Sequence, residues 1–226
     1  MKVAPTKYME SFLDAFTVFN RRYKNMVIKT PPEEWKSGNK GSILIIQGFW
    51  DTWSGLFTIG DFLNKIGFKI FVVKKLGFNI QPLAESVEIV KDYIVKSNLD
   101  KFIIVAHSKG GLISKMLLND SSINDKVDKV ITIATPHEGS VLGYSRILNT
   151  YEFLPNSKLI KELNKNRYLN KKIINIFPCV DNVVVPNKSL VLKGSTNMCL
   201  NIGGHNNILK SKLTLDALCN MLLKGL

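Results

Sequence analysis

The sequence predicts an α/β fold, with a mostly parallel central sheet flanked by helices in a single domain spanning residues 1–226. Three observations carry this expectation. Continuous apolar runs at 42–47, 68–73, 101–106 and 127–134 have the length and character of strands buried on both faces. Helical patterns at 56–66, at 82–97 and after residue 108 separate them, and a β-α-β-α-β-α-β rhythm implies parallel pairing through right-handed crossovers. A chain of 226 residues, 45% hydrophobic and 22% charged, is also long enough to bury one sizeable core.

In chain order, Tyr8, Phe12, Phe16, Phe19 and Tyr23 fall three or four residues apart, the spacing of one aromatic helix stripe. The stripe is expected to pack on the domain, with Lys7, Glu10, Asp14 and Arg21 off it. Thr30-Pro31-Pro32 then punctuates, so 1–40 reads as an N-terminal helical extension and loop. The helix at 56–66 ends at Gly67, a natural residue for a left-handed helix terminus. Pro82 opens the next, with Leu83, Val87, Val90 and Ile94 facing inward. After Ala134 the rhythm breaks. Residues 139–170 hold only short helical fragments, where a small lid could sit at the carboxyl edge of the sheet. Strands are expected again at 172–177 and 189–192, and a closing helix at 208–223.

The stretch Phe102-Ile103-Ile104-Val105-Ala106-His107-Ser108-Lys109-Gly110-Gly111-Leu112-Ile113 organises the rest. A strand runs into a turn of small residues and a helix leaves it. Ala106 and Gly110, two residues either side of Ser108, keep bulk away from the reversing backbone. Such a turn lifts Ser108 Oγ clear of the sheet and aims the following amides at one spot. The pattern is G-x-S-x-G with Ala in first place. At these residues the chain resembles the α/β-hydrolase family, and within it the small bacterial-type serine esterases and lipases. The resemblance extends over roughly residues 41 to 223 and implies an α/β-hydrolase fold with a small or minimal lid. It also implies a Ser-Asp-His triad in that chain order.

A serine hydroxyl needs an adjacent base, and the base needs a partner that holds its tautomer. The chain has three histidines. His107 neighbours Ser108 and is expected to point away from the turn; His137 comes ahead of any suitable acid. His205, in Ile202-Gly203-Gly204-His205-Asn206-Asn207, stands where the family's catalytic histidine is found, with a plain surface-loop histidine as the alternative. Asp181 leaves a strand within Phe177-Pro178-Cys179-Val180-Asp181-Asn182-Val183-Val184-Val185-Pro186, a stretch that resembles the acid loop of lipases. The expected triad is therefore Ser108, Asp181 and His205. The resemblance places the oxyanion-hole amides at Lys109 and at Phe49, in Gln47-Gly48-Phe49-Trp50, where Gln47 replaces the family's usual histidine. Trp50, Trp53 and Leu56 would line an apolar acyl pocket with Phe49, although Trp53 reads equally well as core. Ala134-Thr135-Pro136-His137-Glu138-Gly139-Ser140 resembles a segment of lipases that borders the site, and His137 is expected to brace it.

Thirty-one basic against 18 acidic residues give a net charge of +13. The lysines are scattered and no nucleic-acid motif is present, so a nucleic-acid partner is not expected. A solvated lysine-rich surface is the simpler reading, which leaves room for weak peripheral contact with anionic membranes. Oligomeric state is left open. Cys179, Cys199 and Cys219 lack metal spacing and are odd in number, so buried free thiols in a reducing compartment are expected. Residues 1–24 contain no signal-peptide core, no apolar run is long enough to span a membrane, and a cytoplasmic location follows as the expectation. Neither a cofactor nor a metal is called for. The expected activity is a serine carboxylic-ester hydrolase working through an acyl-enzyme. Alternatives are an acyl-thioesterase or acyltransferase with the same triad, or a non-catalytic binding protein on the same fold.

Overall fold

A computed structural model describes residues 6–10, 13–14, 30–146 and 148–223. Six strands make one sheet: β1 (Ser42–Ile46), β2 (Lys69–Val72), β3 (Phe102–His107), β4 (Val127–Ile133), β5 (Ile173–Val180) and β6 (Thr196–Gly203). Their order is β2-β1-β3-β4-β5-β6, and every pairing is parallel. Among the described residues the sheet is thus wholly parallel rather than mostly so. Residues 6–10 and 13–14 are helical, and beyond them the α-helices among the described residues are α1 (Phe57–Lys65), α2 (Leu83–Lys96), α3 (Lys109–Leu118), the one-turn α4 (Ser121–Asn124), α5 (Lys158–Leu163) and α6 (Lys212–Leu223).

The apolar runs are continuous because the sheet is covered on both faces. Side chains alternate along a strand. Ile43 and Ile45 pack with Ile59 and Leu63 of α1 and Leu218 and Met221 of α6. Leu44 and Ile46 face the other way, onto Val87 and Val90 of α2 and Leu112 and Leu117 of α3. All four strand residues are fully buried. Because every strand points the same way, the turns leaving their carboxyl ends gather at one edge, the place where open α/β sheets bind ligands.

Three expectations change. Residues 187–190 form a 3₁₀ turn and not a strand. Their apolar pattern reflects burial of Leu190 and Leu192, while side-chain amides replace the ladder. Asn175 Nδ2 donates to Leu190 O (2.7 Å) and Asn197 Oδ1 accepts from Leu192 N (3.0 Å). The last strand is instead β6, an edge strand whose Asn197, Cys199 and Asn201 are exposed, so it lacked the apolar continuity of the others. Cys199 is consequently exposed, and Cys179 and Cys219 are half-buried; the three thiols are not buried as expected.

Of the aromatic stripe, Phe12, Phe16, Phe19 and Tyr23 lie outside the described residues. Tyr8 is 61% exposed, whereas Asp14, expected off the packed face, is fully buried. The described part of this segment meets the domain through polar groups. The Asp14 carboxylate is satisfied there by the backbone and side-chain N–H groups of Asn206, at 3.0 and 3.1 Å. Among the described residues no helix is long and apolar enough to cross a membrane.

Candidate active site

β3 ends at His107 and α3 begins at Lys109, so Ser108 alone turns the chain. Its backbone sits at φ +52°, ψ −121°. A non-glycine residue held there costs about 1–3 kcal/mol and persists only where its surroundings enforce it. The enforcement is visible: Ser108 N donates to Ile133 O (2.9 Å), and Ser108 O accepts from Gly111 N (2.9 Å) and Thr135 Oγ1 (3.1 Å). Gly110 is required because a Cβ there would run into the Ile46 carbonyl of β1.

Asp181 follows β5 and is 4% exposed. Its Oδ1 accepts the amides of Val183 and Val184, each at 2.8 Å. Oδ2 is left for His205 Nδ1, also at 2.8 Å. With the carboxylate as acceptor, His205 carries its proton on Nδ1 and keeps the Nε2 lone pair free to act as a base. The loop around His205 is held from several sides. Its N donates to Asn182 Oδ1 (2.9 Å), and its carbonyl accepts from His107 Nε2 (3.1 Å). The His107 and His205 rings lie 4.7 Å apart. His107 therefore does not point away from the turn. It links the residue before Ser108 to His205, a contact that nothing in the local pattern announces.

His137 is fully buried beneath this edge, its Nε2 near Thr132 Oγ1 (3.2 Å) and Asn175 Oδ1 (3.3 Å). Burial, with the Lys115 cation adding to it, lowers its pKa to about 3, so the ring is neutral. Its carbonyl accepts from Asn164 Nδ2 (2.9 Å), just beyond α5.

Lys109 opens α3, and an amide at that position has no carbonyl one turn earlier to bond within the helix. Phe49 lies in the loop leaving β1. Gln47 Nε2 donates to Gly77 O (3.1 Å), and Gln47 O accepts from Asn79 Nδ2 (2.8 Å), so the 77–79 turn braces this loop. The Lys109 side chain adds a second brace that the sequence did not suggest. Its ammonium donates to Asn79 O (2.9 Å) and Gln81 O (2.5 Å) and lies 5.9 Å from the Phe49 ring. Burial lowers its pKa to about 8.

Ser108 borders a cavity of about 210 Å³ whose walls include Phe49, Trp50, Leu142, Phe153 and Val184. Trp50, 41% exposed, stands on its rim. Trp53 and Leu56 do not reach it. Both are buried in the core on the α1 side of the sheet, where Trp53 meets Trp35 edge-on at 5.7 Å. The wall they were expected to supply comes from 141–145 and 150–153, short 3₁₀ turns inside the predicted lid region.

Residues 76–209 match the PGAP1-like alpha/beta domain, over more than half of the chain. The chain belongs to this family. The matched stretch of this PGAP1-like protein contains Ser108, Asp181 and His205; Phe49 lies before it. No curated protein matches the chain in sequence. Among solved structures, the mature lipase BlEst2 of Bacillus licheniformis is similar at 19% identity and a TM-score of 0.59, over 85% of this chain and 94% of that one. Lipase B of Aspergillus fumigatus gives a TM-score of 0.72 at 16% identity, over 83% of this chain and 53% of its own. The monoacylglycerol lipase of Paleococcus ferrophilus gives 0.60 at 14%, over 83% and 96%. At such identities the likeness speaks for the fold, which is that of the α/β hydrolases.

Proposed function

We propose that this PGAP1-like protein is a serine hydrolase of carboxylic esters. The observation that carries the reading is the Ser108 turn opening into an apolar cavity at the same sheet edge as the Asp181–His205 pair. His205 Nε2 takes the Ser108 hydroxyl proton as Oγ attacks the ester carbonyl carbon. The oxygen that becomes negative is met by the Phe49 and Lys109 amides, donors that in such sites are each worth about 3 kcal/mol of barrier. Collapse breaks the C–O bond to the alcohol, which leaves with the proton now on His205, and Ser108 keeps the acyl group. Water, deprotonated by His205, then frees the acid and restores the serine. The cavity suits an apolar acyl chain, and the turns at 141–145 and 150–153 act as a small cap over it. The similarity to solved lipases supports an ester or lipid-ester substrate.

A fluorophosphonate probe tests the reading directly. Wild type should be labelled and should turn over a p-nitrophenyl ester, and Ser108→Ala should do neither. An unlabelled wild type, or a Ser108→Ala variant that is still labelled, would sink it.

A further inference from the structure

The loop that carries His205 is an unusual piece of chain to entrust with a base. Gly203 and Gly204 precede the histidine, and glycine has more backbone freedom to lose than any other residue. Placement of Nε2 matters, since about 1 Å of error can cost a hundredfold in rate. The loop is nonetheless pinned at each successive amide. Gly203 N donates to Glu10 Oε2 (3.0 Å), Gly204 N to Val180 O (2.8 Å) and His205 N to Asn182 Oδ1 (2.9 Å). Asn206 N donates to Asp14 Oδ2 (3.0 Å). The first and last of these acceptors are carboxylates from the other end of the chain.

The fit is built from both sides. A Cβ on Gly203 would collide with the Lys7 carbonyl, and one on Gly204 would come within 2.7 Å of Asp14 Cβ. The glycines thus admit the N-terminal segment. Both asparagines reach back to it, Asn206 Nδ2 to Asp14 Oδ2 (3.1 Å) and Asn207 Nδ2 to Glu10 O (3.1 Å). Lys7 Nζ, 2.8 Å from Glu10, holds that carboxyl below the usual range and keeps it an acceptor. Gly-Gly-His-Asn-Asn is then a docking sequence with the base at its centre.

We infer that Glu10 and Asp14 are positioning residues, and that the site is complete only when the N-terminal segment is docked on the 203–207 loop. The inference builds on His205 acting as the base. Its test pairs a readout that needs no activity with one that does. Asp14→Ala should speed amide exchange of the peptide covering 203–207 by about tenfold or more, with β3 and β4 peptides unchanged. The same variant should lose about tenfold in kcat and in fluorophosphonate labelling rate, with KM within about twofold, and Asp14→Asn, which keeps an acceptor oxygen, should recover most of it. If Asp14→Ala does not fold, the partly exposed Glu10→Ala carries the test, with losses of about threefold expected. Unchanged exchange at 203–207, exchange raised equally everywhere, or a loosened loop with wild-type kcat would each overturn the inference. A wild type inert to the probe would instead remove the serine-hydrolase reading, and exchange alone would then show whether the segment holds the loop.

Discussion

At Asp181 the two carboxylate oxygens have separate duties, which makes the outcome of one substitution specific. Oδ1 is occupied by the amides of Val183 and Val184 and Oδ2 by His205 Nδ1. In Asp181→Asn the carbonyl must stay on those amides, so the NH₂ faces Nδ1 and forces it to accept. The imidazole then holds its proton on Nε2 and cannot take one from Ser108. Ester turnover should fall by about 10³–10⁴-fold, as for a triad with the wrong tautomer, with the melting temperature nearly kept. A loss under tenfold would argue against Asp181 as the orienting acid. His137 gives a second expectation at this scale. Its folded pKa, lowered by burial to about 3, lies below the unfolded value of about 6.5. The unfolded chain therefore binds the proton first, and stability falls as pH drops from about 6.5 towards 3, by up to about 4 kcal/mol from this group. His137→Gln should flatten that stretch of the pH dependence in denaturant titrations. A variant with the same slope as wild type would show that His137 is not a buried neutral group.

Among the elements, the turns at 141–145 and 150–153 and the loop after β1 divide the work that sequence alone assigned to one tryptophan-rich stretch. Phe153 and Trp50 border the cavity, whereas Trp53 belongs to the core beneath α1. Phe153→Ala should enlarge the cavity and shift preference towards longer acyl chains, each methylene in such a pocket being worth about 1–3 kcal/mol. Trp53→Ala should cost about 3–5 kcal/mol of stability and leave the acyl-chain ranking as in wild type. Rates over a ladder of ester chain lengths, set beside denaturation curves, distinguish the two. A changed ranking in Trp53→Ala would contradict this division.

For the whole molecule, the lysines behind the net charge of +13 are scattered along the sequence and not gathered in one block. A spread charge attracts anionic surfaces only within a Debye length, about 10 Å at 0.1 M salt. Co-sedimentation with anionic vesicles should therefore be measurable at low salt and largely lost at about 0.15 M. Binding that persists there would shift attention to the exposed Leu142, Tyr144, Leu148 and Tyr151. The polar docking of Glu10 and Asp14 on the His205 loop ties one end of the chain to the other, across more than 190 residues.

Much of the architecture was legible in the sequence because it is written locally. Four strands declare themselves as unbroken apolar runs, since a sheet covered on both faces needs them, and the Ser108 turn declares itself through Ala106 and Gly110, since little else fits beside a reversing backbone. The choice of Asp181 and His205 as partners for Ser108 came from the family resemblance; the structure places these residues just after β5 and β6. What remained hidden depends on partners distant in the chain. β6 is an edge strand with polar outward residues, so no apolar run marked it. Trp50 and Trp53, three residues apart, part company because one meets Phe49 and the other Trp35. His107 packs on His205, Lys109 reaches the 79–81 turn, and Asp14 is buried by its bonds to Asn206. A helical period can say that Asp14 lies opposite an aromatic stripe. Only the folded chain, by bringing two amide donors to that carboxylate, decided that the acid faces inward.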